Sequence, residues 1–525
     1  MAERIQIDPS TIAQHSGGST VAADLKAGLI VFLVALPLCL GISTACGAPP
    51  LSGLIAGVVG GTVVALAGRA ALSVAGPAAG LTVIVLDGIR TLTFPTFLTA
   101  VLLGGLIQIA IGILGAGRLA QLVPNAVIRG MLAAIGLILV LKQLPHAVGY
   151  DADPEGDFAF VQRDGQNTFS ELFNALSYVS MGAVVVSVLA GLALFLWRNY
   201  PKLPLARYAP RELLAVCVGL ACAVLFQGTS LEILNEHRVN IPLLGDAGLI
   251  GLWTAPDWAA VTRVDVWKTA FTLAIVASIE SLLCVEATDR IDPQRRVSPP
   301  NRELVAQGLG NMISGALGGL PVTAVVVRSF TNVQAGGRTR LASIFHGILL
   351  FVAIVGLASI LNYIPLAALA VVLLMVGYKL TPPKLYVEVW RMGRSQFYPF
   401  ISTVIAILLT DLLTGTLLGL GLALFFIVLG HYTSAIVVTD DGQVRLVRFV
   451  SSVSFLHKAR VKEALENTPA GGHVVLDGTR ARNIDPDIME VINDFQLSAK
   501  ERGIEVSIRR SQSALHGYFR EEVRA

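Results

Sequence analysis

Thr269 to Thr288 reads TAFTLAIVASIESLLCVEAT. At 1.5 Å of rise per residue, a helix of this length spans about 30 Å, the hydrocarbon thickness of a bilayer. Glu280 falls near its midpoint. A carboxylate there costs about 3 kcal/mol, and residues kept at that cost face a polar cavity and serve ion or proton traffic. Further on, Pro321 to Asn332 reads PVTAVVVRSFTN, with Arg328 as a second charge in an apolar setting. An acid and a base so placed predict an anion path across a membrane.

The composition agrees. Of 525 residues, 54% are hydrophobic and only 14% charged, against about 25% charged in soluble domains. The chain therefore reads as an α-helical polytopic membrane protein. Its 51 glycines suit close helix packing in lipid. A net charge of +3, with no basic run interleaved with aromatics, argues against nucleic acid. Cys39, Cys46, Cys217, Cys222 and Cys284 lie in or beside apolar stretches and form no CxxC or Cys/His cluster. No zinc site, other metal site or disulfide framework is expected. No cofactor is expected, and no enzyme: neither a nucleophile–base pair nor a nucleotide loop is visible. Residues 1-21 are polar, lack the apolar core of a cleaved signal, and read as a cytoplasmic segment.

Fourteen membrane segments are expected, roughly 22-45, 50-67, 72-88, 96-117, 121-141, 174-197, 211-228, 268-288, 302-319, 321-335, 341-362, 364-380, 397-413 and 415-431. With the N-terminus inside, the cytoplasmic connections carry the arginines and lysines, among them Arg198, Lys202, Arg207, Arg290, Arg295, Arg296, Lys384 and Arg391. The long outer loops are acidic, one with Asp151, Asp153, Glu155, Asp157 and Asp164, the other with Glu232, Glu236, Asp246 and Asp257. This predicts a multi-pass inner-membrane protein with both ends cytoplasmic.

The halves repeat. Pro124–Gly136 (PNAVIRGMLAAIG) echoes Pro365–Gly377 (PLAALAVVLLMVG), displaced by 241. Pro77 in the third segment echoes Pro321 in the tenth, displaced by 244. Seven spans is an odd number, so the second copy enters the membrane inverted: repeat one over about 22-228, repeat two over about 268-432. Paired, short, Gly/Pro-broken segments in such repeats mark the substrate site of secondary transporters. After about residue 438 the pattern changes. Strands at Gln443–Phe449, His473–Asp477 and Ile504–Ile508 and a helix at Pro486–Arg502 predict a small α/β domain over 438-525.

Four stretches resemble the SulP family of inorganic anion transporters, the sulfate permeases and their animal relatives including prestin. They are LKAGLIVFLVALPLCLGISTACGAPPLSGLIAGVVGG (25–61), NRELVAQGLGNMISGALGGLP (301–321), RSFTNVQAGGRTRLAS (328–343) and, for the family's C-terminal STAS module, VVLDGTRARNIDPDIMEVINDF (474–495). The resemblance implies two inverted seven-helix repeats over 22-432. A core domain (segments 1-4 and 8-11) would move against a gate domain (5-7 and 12-14). It also implies a homodimer contact through STAS. Where phospho-switch relatives carry Asp-Ser-Thr, this chain has Asp485-Pro486-Asp487, so the module reads as one for assembly or docking.

The candidate site residues follow. Arg328 matches the family's central arginine by spacing and would supply positive potential to a desolvated anion. Ala75, Gly76 and Ala78 in the third segment, and Val322, Thr323 and Ala324 in the tenth, would aim two half-helix N-termini at the same anion. Many relatives have hydroxyls before this arginine; here Val325, Val326 and Val327 stand there, leaving Thr323 as the main side-chain donor. Ser43 is a candidate lining residue from the first segment, although helical hydroxyls more often bond backbone carbonyls. Glu280 is the candidate for ion coupling, as proton acceptor or cation ligand; its bland alternative is a structural acid paired with a hydroxyl or with Arg328. Glu286 is expected to pair with Arg290. Asn301 and Glu303 read as a helix cap and first-turn acid, and Asp411 as marking the turn between the last two segments.

The predicted function is secondary active transport of bicarbonate or sulfate, coupled to protons or sodium, by alternating access. The alternatives are a passive channel or exchanger of the same fold, or a dicarboxylate transporter.

Overall fold

The computed structural model describes residues 20–118, 123–152, 160, 166–199, 210–241, 253–442, 444–450, 452–481 and 483–509. Residues 1–19, Asp153, Glu155, Asp157, Asp164, Lys202, Arg207, Asp246 and Gln443 lie outside the described residues. The chain divides into two compact units, with the boundary after Leu420.

In the first unit, α1 (Thr20–Ala45) and α2 (Pro50–Ala67) lead to a three-residue strand, β1 (Ala75–Pro77). A turn at Ala79–Leu81 opens α3 (Thr82–Leu92). Then come α4 (Phe94–Ile113), α5 (Asn125–Ala147), α6 (Thr168–Ala175), α7 (Met181–Asn199) and α8 (Arg211–Leu225). The second half runs α9 (Val264–Ile291), α10 (Pro300–Ala316), β2 (Val322–Ala324), α11 (Val326–Gln334), α12 (Leu341–Leu361), α13 (Leu366–Leu380), α14 (Pro383–Arg391), α15 (Arg394–Leu409) and α16 (Leu412–Ser434), the last containing the boundary between the units. Among the described residues, eight helical spans are long and apolar enough to cross a membrane, α13 and α14 together counting as one. The short α14 was expected as loop; Pro382 and Pro383 preset its first turn and it buries Val389.

The two broken segments meet. β1 and β2 pair antiparallel, with Ala75 opposite Ala324, Gly76 opposite Thr323 and Pro77 opposite Val322. Each break is followed by a helix, so two helix starts lie beside one two-stranded ribbon. Neighbouring side chains satisfy the backbone that the breaks leave open. Asn311 Oδ1 accepts from the Val322 amide at 2.5 Å, and its Nδ2 donates to Val322 O at 3.0 Å and to Gln108 Oε1 at 2.8 Å. Ser329 Oγ accepts from the Val74 amide at 2.9 Å, and Ser281 Oγ from that of Ala324 at 3.3 Å.

Helices cross at glycines in matched pairs. A Cβ on Gly136 would lie 2.8 Å from Gly377 O, and one on Gly377 would lie 2.8 Å from Gly136 O. These are the two glycines of the sequence echo. Gly105 and Gly308 meet in the same reciprocal way at 2.5 Å, and Gly61 and Gly347 pack backbone to backbone. Backbones approach this closely only where neither residue has a side chain, which is how helices associate when lipid offers no hydrophobic drive.

One expectation at a helix end needs correcting. Asn301 does not cap α10. The residue before the helix is Pro299, and Pro300 occupies its first turn, leaving the Asn301 Oδ1 to accept from the Gly117 amide at 2.9 Å. Glu303 does stand in the first turn of α10, as expected, and its carboxylate also accepts from the amides of Arg69 and Ala70, closing the turn between α2 and β1. Glu286 and Arg290 pair at 2.7 Å, as their spacing predicts.

The second unit contains a four-stranded sheet: β3 (Ile436–Asp440), β4 (Val444–Phe449), β5 (His473–Asp477) and β6 (Glu505–Arg509), in that spatial order. β3–β4 is antiparallel; the two other pairings are parallel. Two helices accompany it, α17 (Lys458–Glu466) and α18 (Pro486–Glu501). Val447, Val474, Leu476, Val461, Ile488, Ile492 and Phe495 form its core. β3 and α17 had not been expected from sequence. Asp485, immediately before Pro486 at the position of the missing phospho-acceptor, caps α18 through the Asp487 amide. Arg509 is exposed, while Arg510, Arg520 and Arg524 lie outside the described residues.

Candidate functional site

A cavity of about 70 Å³ lies beside the ribbon. One wall is Ala79, Gly80 and Val83 from the start of α3, Glu280 from α9, and Ala324 to Val327 where β2 becomes α11. The facing wall is Met131, Ile135 and Ile138 from α5, with Ile407, Asp411 and Leu412 where α15 gives way to α16. A single water needs about 10–15 Å³ on such a measure, so the space holds several waters or one small anion.

Glu280 reaches this cavity because α9 is unbroken and lays it against the break between β1 and α3. Its carboxyl packs on Gly80, where an added Cβ would come 2.8 Å from Oε1. A side chain at position 80 would therefore displace the Glu280 carboxyl. Oε2 is buried and has no hydrogen-bond partner. Glu280 does not pair with Arg328, nor with the hydroxyls of Ser278 or Ser281, which bond backbone instead.

Arg328 lies on the first turn of α11 and is fully buried. Its guanidinium is directed at Gly76: an added Cβ there would sit 1.9 Å from Nη1. Nη2 donates to Cys39 Sγ at 3.2 Å, while Nε and Nη1 are without partners. The arginine thus stands at the ribbon but does not line the cavity that holds Glu280. A buried guanidinium lacking a carboxylate partner is costly and leaves positive potential at the two helix starts. His346 is likewise fully buried with both ring nitrogens unpartnered.

The other sequence candidates are placed as follows. Ala75, Gly76 and Ala78, with Val322, Thr323 and Ala324, form or adjoin the ribbon, all within it buried. Thr323 Oγ1 bonds Ala324 O at 3.3 Å. Ser43 bonds the carbonyls of Leu40 at 2.7 Å and Cys39 at 3.1 Å and does not line the cavity. Val325, Val326 and Val327 do line it.

Sequence reading missed Asn311 and Ser329, which hold backbone at the ribbon, Gln108, which holds the Asn311 side chain, and Asp411 as a cavity residue. An Asn and a Gln inside apolar helices were a usable signal, since each carries four hydrogen-bonding sites that lipid cannot satisfy.

Among solved and curated proteins, a sulfate permease family model matches residues 21–403. A bicarbonate transporter, BicA, of Synechocystis is 29% identical over 363 residues, covering 67% of this chain and 60% of that one. The chain thus spans about three fifths of that relative's length. A sodium-independent sulfate anion transporter of Bos taurus is 25% identical over 506 residues, covering 90% of this chain and 81% of the relative. The solved transmembrane domain of a cyanobacterial BicA superposes with a TM-score of 0.55 at 26% identity, covering 77% of this chain and 98% of that domain.

Proposed function

This chain belongs to the sulfate permease family, and from that premise we propose that it is a secondary active transporter of a small inorganic anion. The observation that carries the reading is the buried ribbon of β1 and β2, which sets two helix starts and Arg328 beside a cavity holding Glu280. Helix N-termini attract anions, and the glycines let backbone amides come close. The cavity walls belong to the segments that the family resemblance divides between core and gate, so relative motion of the walls would open it to either side in turn.

Glu280 is the coupling residue in this reading. Its Oε2 without a partner is a place for a proton or a sodium ion that enters with the anion. Bicarbonate is favoured over sulfate. Val325 to Val327 offer the ion no hydroxyl donors, and stripping water from a dianion costs far more than from a monoanion. The relatives' names cover both ions. Arg328, Thr323, Val322, Ala324, Ala75, Gly76 and Ala78 would shape the anion's surroundings; Ser43 would act from behind, through α1. We place the protein in the inner membrane, with fourteen spans and both ends cytoplasmic. The second unit is proposed as a STAS-type module through which two copies assemble.

The test is uptake of labelled bicarbonate and sulfate into liposomes holding the purified full chain, under imposed proton and sodium gradients. Uphill accumulation of one of them under one gradient is expected. A Glu280→Gln variant should keep downhill flux and lose the gradient dependence. No movement of either ion under any gradient would overturn the transport reading, and passive flux indifferent to both gradients would favour a channel.

A further inference from the structure

Asp411 was legible in the sequence only as a turn residue. α15 ends at Leu409 and α16 begins at Leu412, so the pair between them is a break in mid-sequence of two apolar helices. The break places Asp411 on the cavity wall opposite Glu280. Its Oδ1 accepts from the amides of Leu413 and Thr414, both at 2.9 Å, and its Oδ2 from Thr414 Oγ1 at 2.7 Å. All three donors are neutral, and no described lysine, arginine or histidine pairs with it. Gly415 clamps the break: a Cβ there would sit 2.4 Å from Ile407 N. The carboxylate is therefore held at the wall.

The cavity's charge is then one-sided. From α3, α5 and the start of α11 only apolar residues and backbone face it, and its two ionisable groups are Glu280 and Asp411. Arg328 is turned toward Gly76 and Cys39. A bare anion entering so small a space meets two carboxyls and little water to screen them. An anion accompanied by a proton or a hard, oxygen-seeking cation meets a neutralised site.

We propose that Asp411 is a second working carboxyl of this cavity, set on the wall across from Glu280, and that it favours anions entering with a cation over anions entering alone. This rests on the transport reading above. Because the two acids stand on walls that move relative to each other in that reading, Asp411 also makes closure without a bound cation unfavourable.

The experiment compares wild type with Asp411→Asn in liposomes. Asparagine caps a helix as well as aspartate does, so the break is retained while the charge is removed; Asp411→Ser, another capping residue, serves if the first variant does not purify. Initial rates of bicarbonate or sulfate uptake, whichever the wild type moves, are measured against anion concentration at low and high sodium and at two pH values. Removing one close repulsion should lower KM for the anion about tenfold at low cation concentration, leave it nearly unchanged at high cation concentration, and flatten the cation dependence. A purely structural cap would lower melting temperature in Asp411→Ala while leaving the Asp411→Asn variant indistinguishable from wild type at every cation concentration. That outcome overturns the proposal while wild-type transport stands. Absence of wild-type uptake would instead remove the reading on which it rests.

Discussion

Gly76→Ala tests whether the position of the Arg328 guanidinium matters, because it leaves the charge in place. The added methyl would sit 1.9 Å from Nη1, and ordinary contact begins near 3.4 Å, so the guanidinium must retreat by about 1.5 Å. It can do so, being held by one bond to Cys39 Sγ. An anion 5 Å from the guanidinium, at an effective dielectric near 20, is attracted by about 3.3 kcal/mol; at 6.5 Å this falls to about 2.6 kcal/mol. The loss is about fourfold in affinity. Overpacking adds about 1–3 kcal/mol of destabilisation. The assay is anion uptake by reconstituted protein with KM and kcat separated, beside a thermal melt of the same preparation. A raised KM at near-normal maximal rate is expected. A lowered melting temperature with wild-type KM would show that the guanidinium is structural there and refute the reasoning.

Two further outcomes follow from the same structure. Gly136→Ala and Gly377→Ala meet each other's carbonyl at the same 2.8 Å, so each should destabilise the protein by about 1–3 kcal/mol, by similar amounts in a melt, and the double variant by less than the sum. Asp151 forms a pH-sensitive clamp with the end of α5 and the segment after α8: it bonds His146 and His237, each at 2.6 Å. Burial pushes the Asp151 carboxyl up, but the histidine hydrogen bonds outweigh it and hold the carboxyl below its usual range. The Asp151 bond raises His237. The Asp151 contribution is present above about pH 4 and lost as pH falls below its lowered value. The His237 contribution is present below about pH 6.5 and lost as pH rises through its raised value. Hydrogen exchange at Val239 and Ile241 should therefore quicken as pH climbs from 6 to 9, after correction for the intrinsic rate, and His237→Ala should abolish that change.

Residue chemistry alone settled the class of this protein and singled out the candidate residues of its proposed site. Apolar runs of bilayer length admit one backbone solution in lipid, and Glu280 and Arg328 stand out in them as costly charges, which is what made them candidates. The echo between Pro77 and Pro321 already marked two broken segments, because a proline flanked by glycines in a short apolar run removes a backbone donor and loosens the helix. What tertiary structure decided was direction and company. No local pattern states that Arg328 turns toward Gly76 and Cys39 while Glu280 faces the cavity, since both follow from helices far apart in sequence. The same holds for Asn311, whose side chain completes the edge of β2, and for Ser43, drawn to its own helix's carbonyls. Asp411 is the sharpest case: its capping role is local and readable, but its place opposite Glu280 exists only once α5, α9, α15 and α16 enclose a common space.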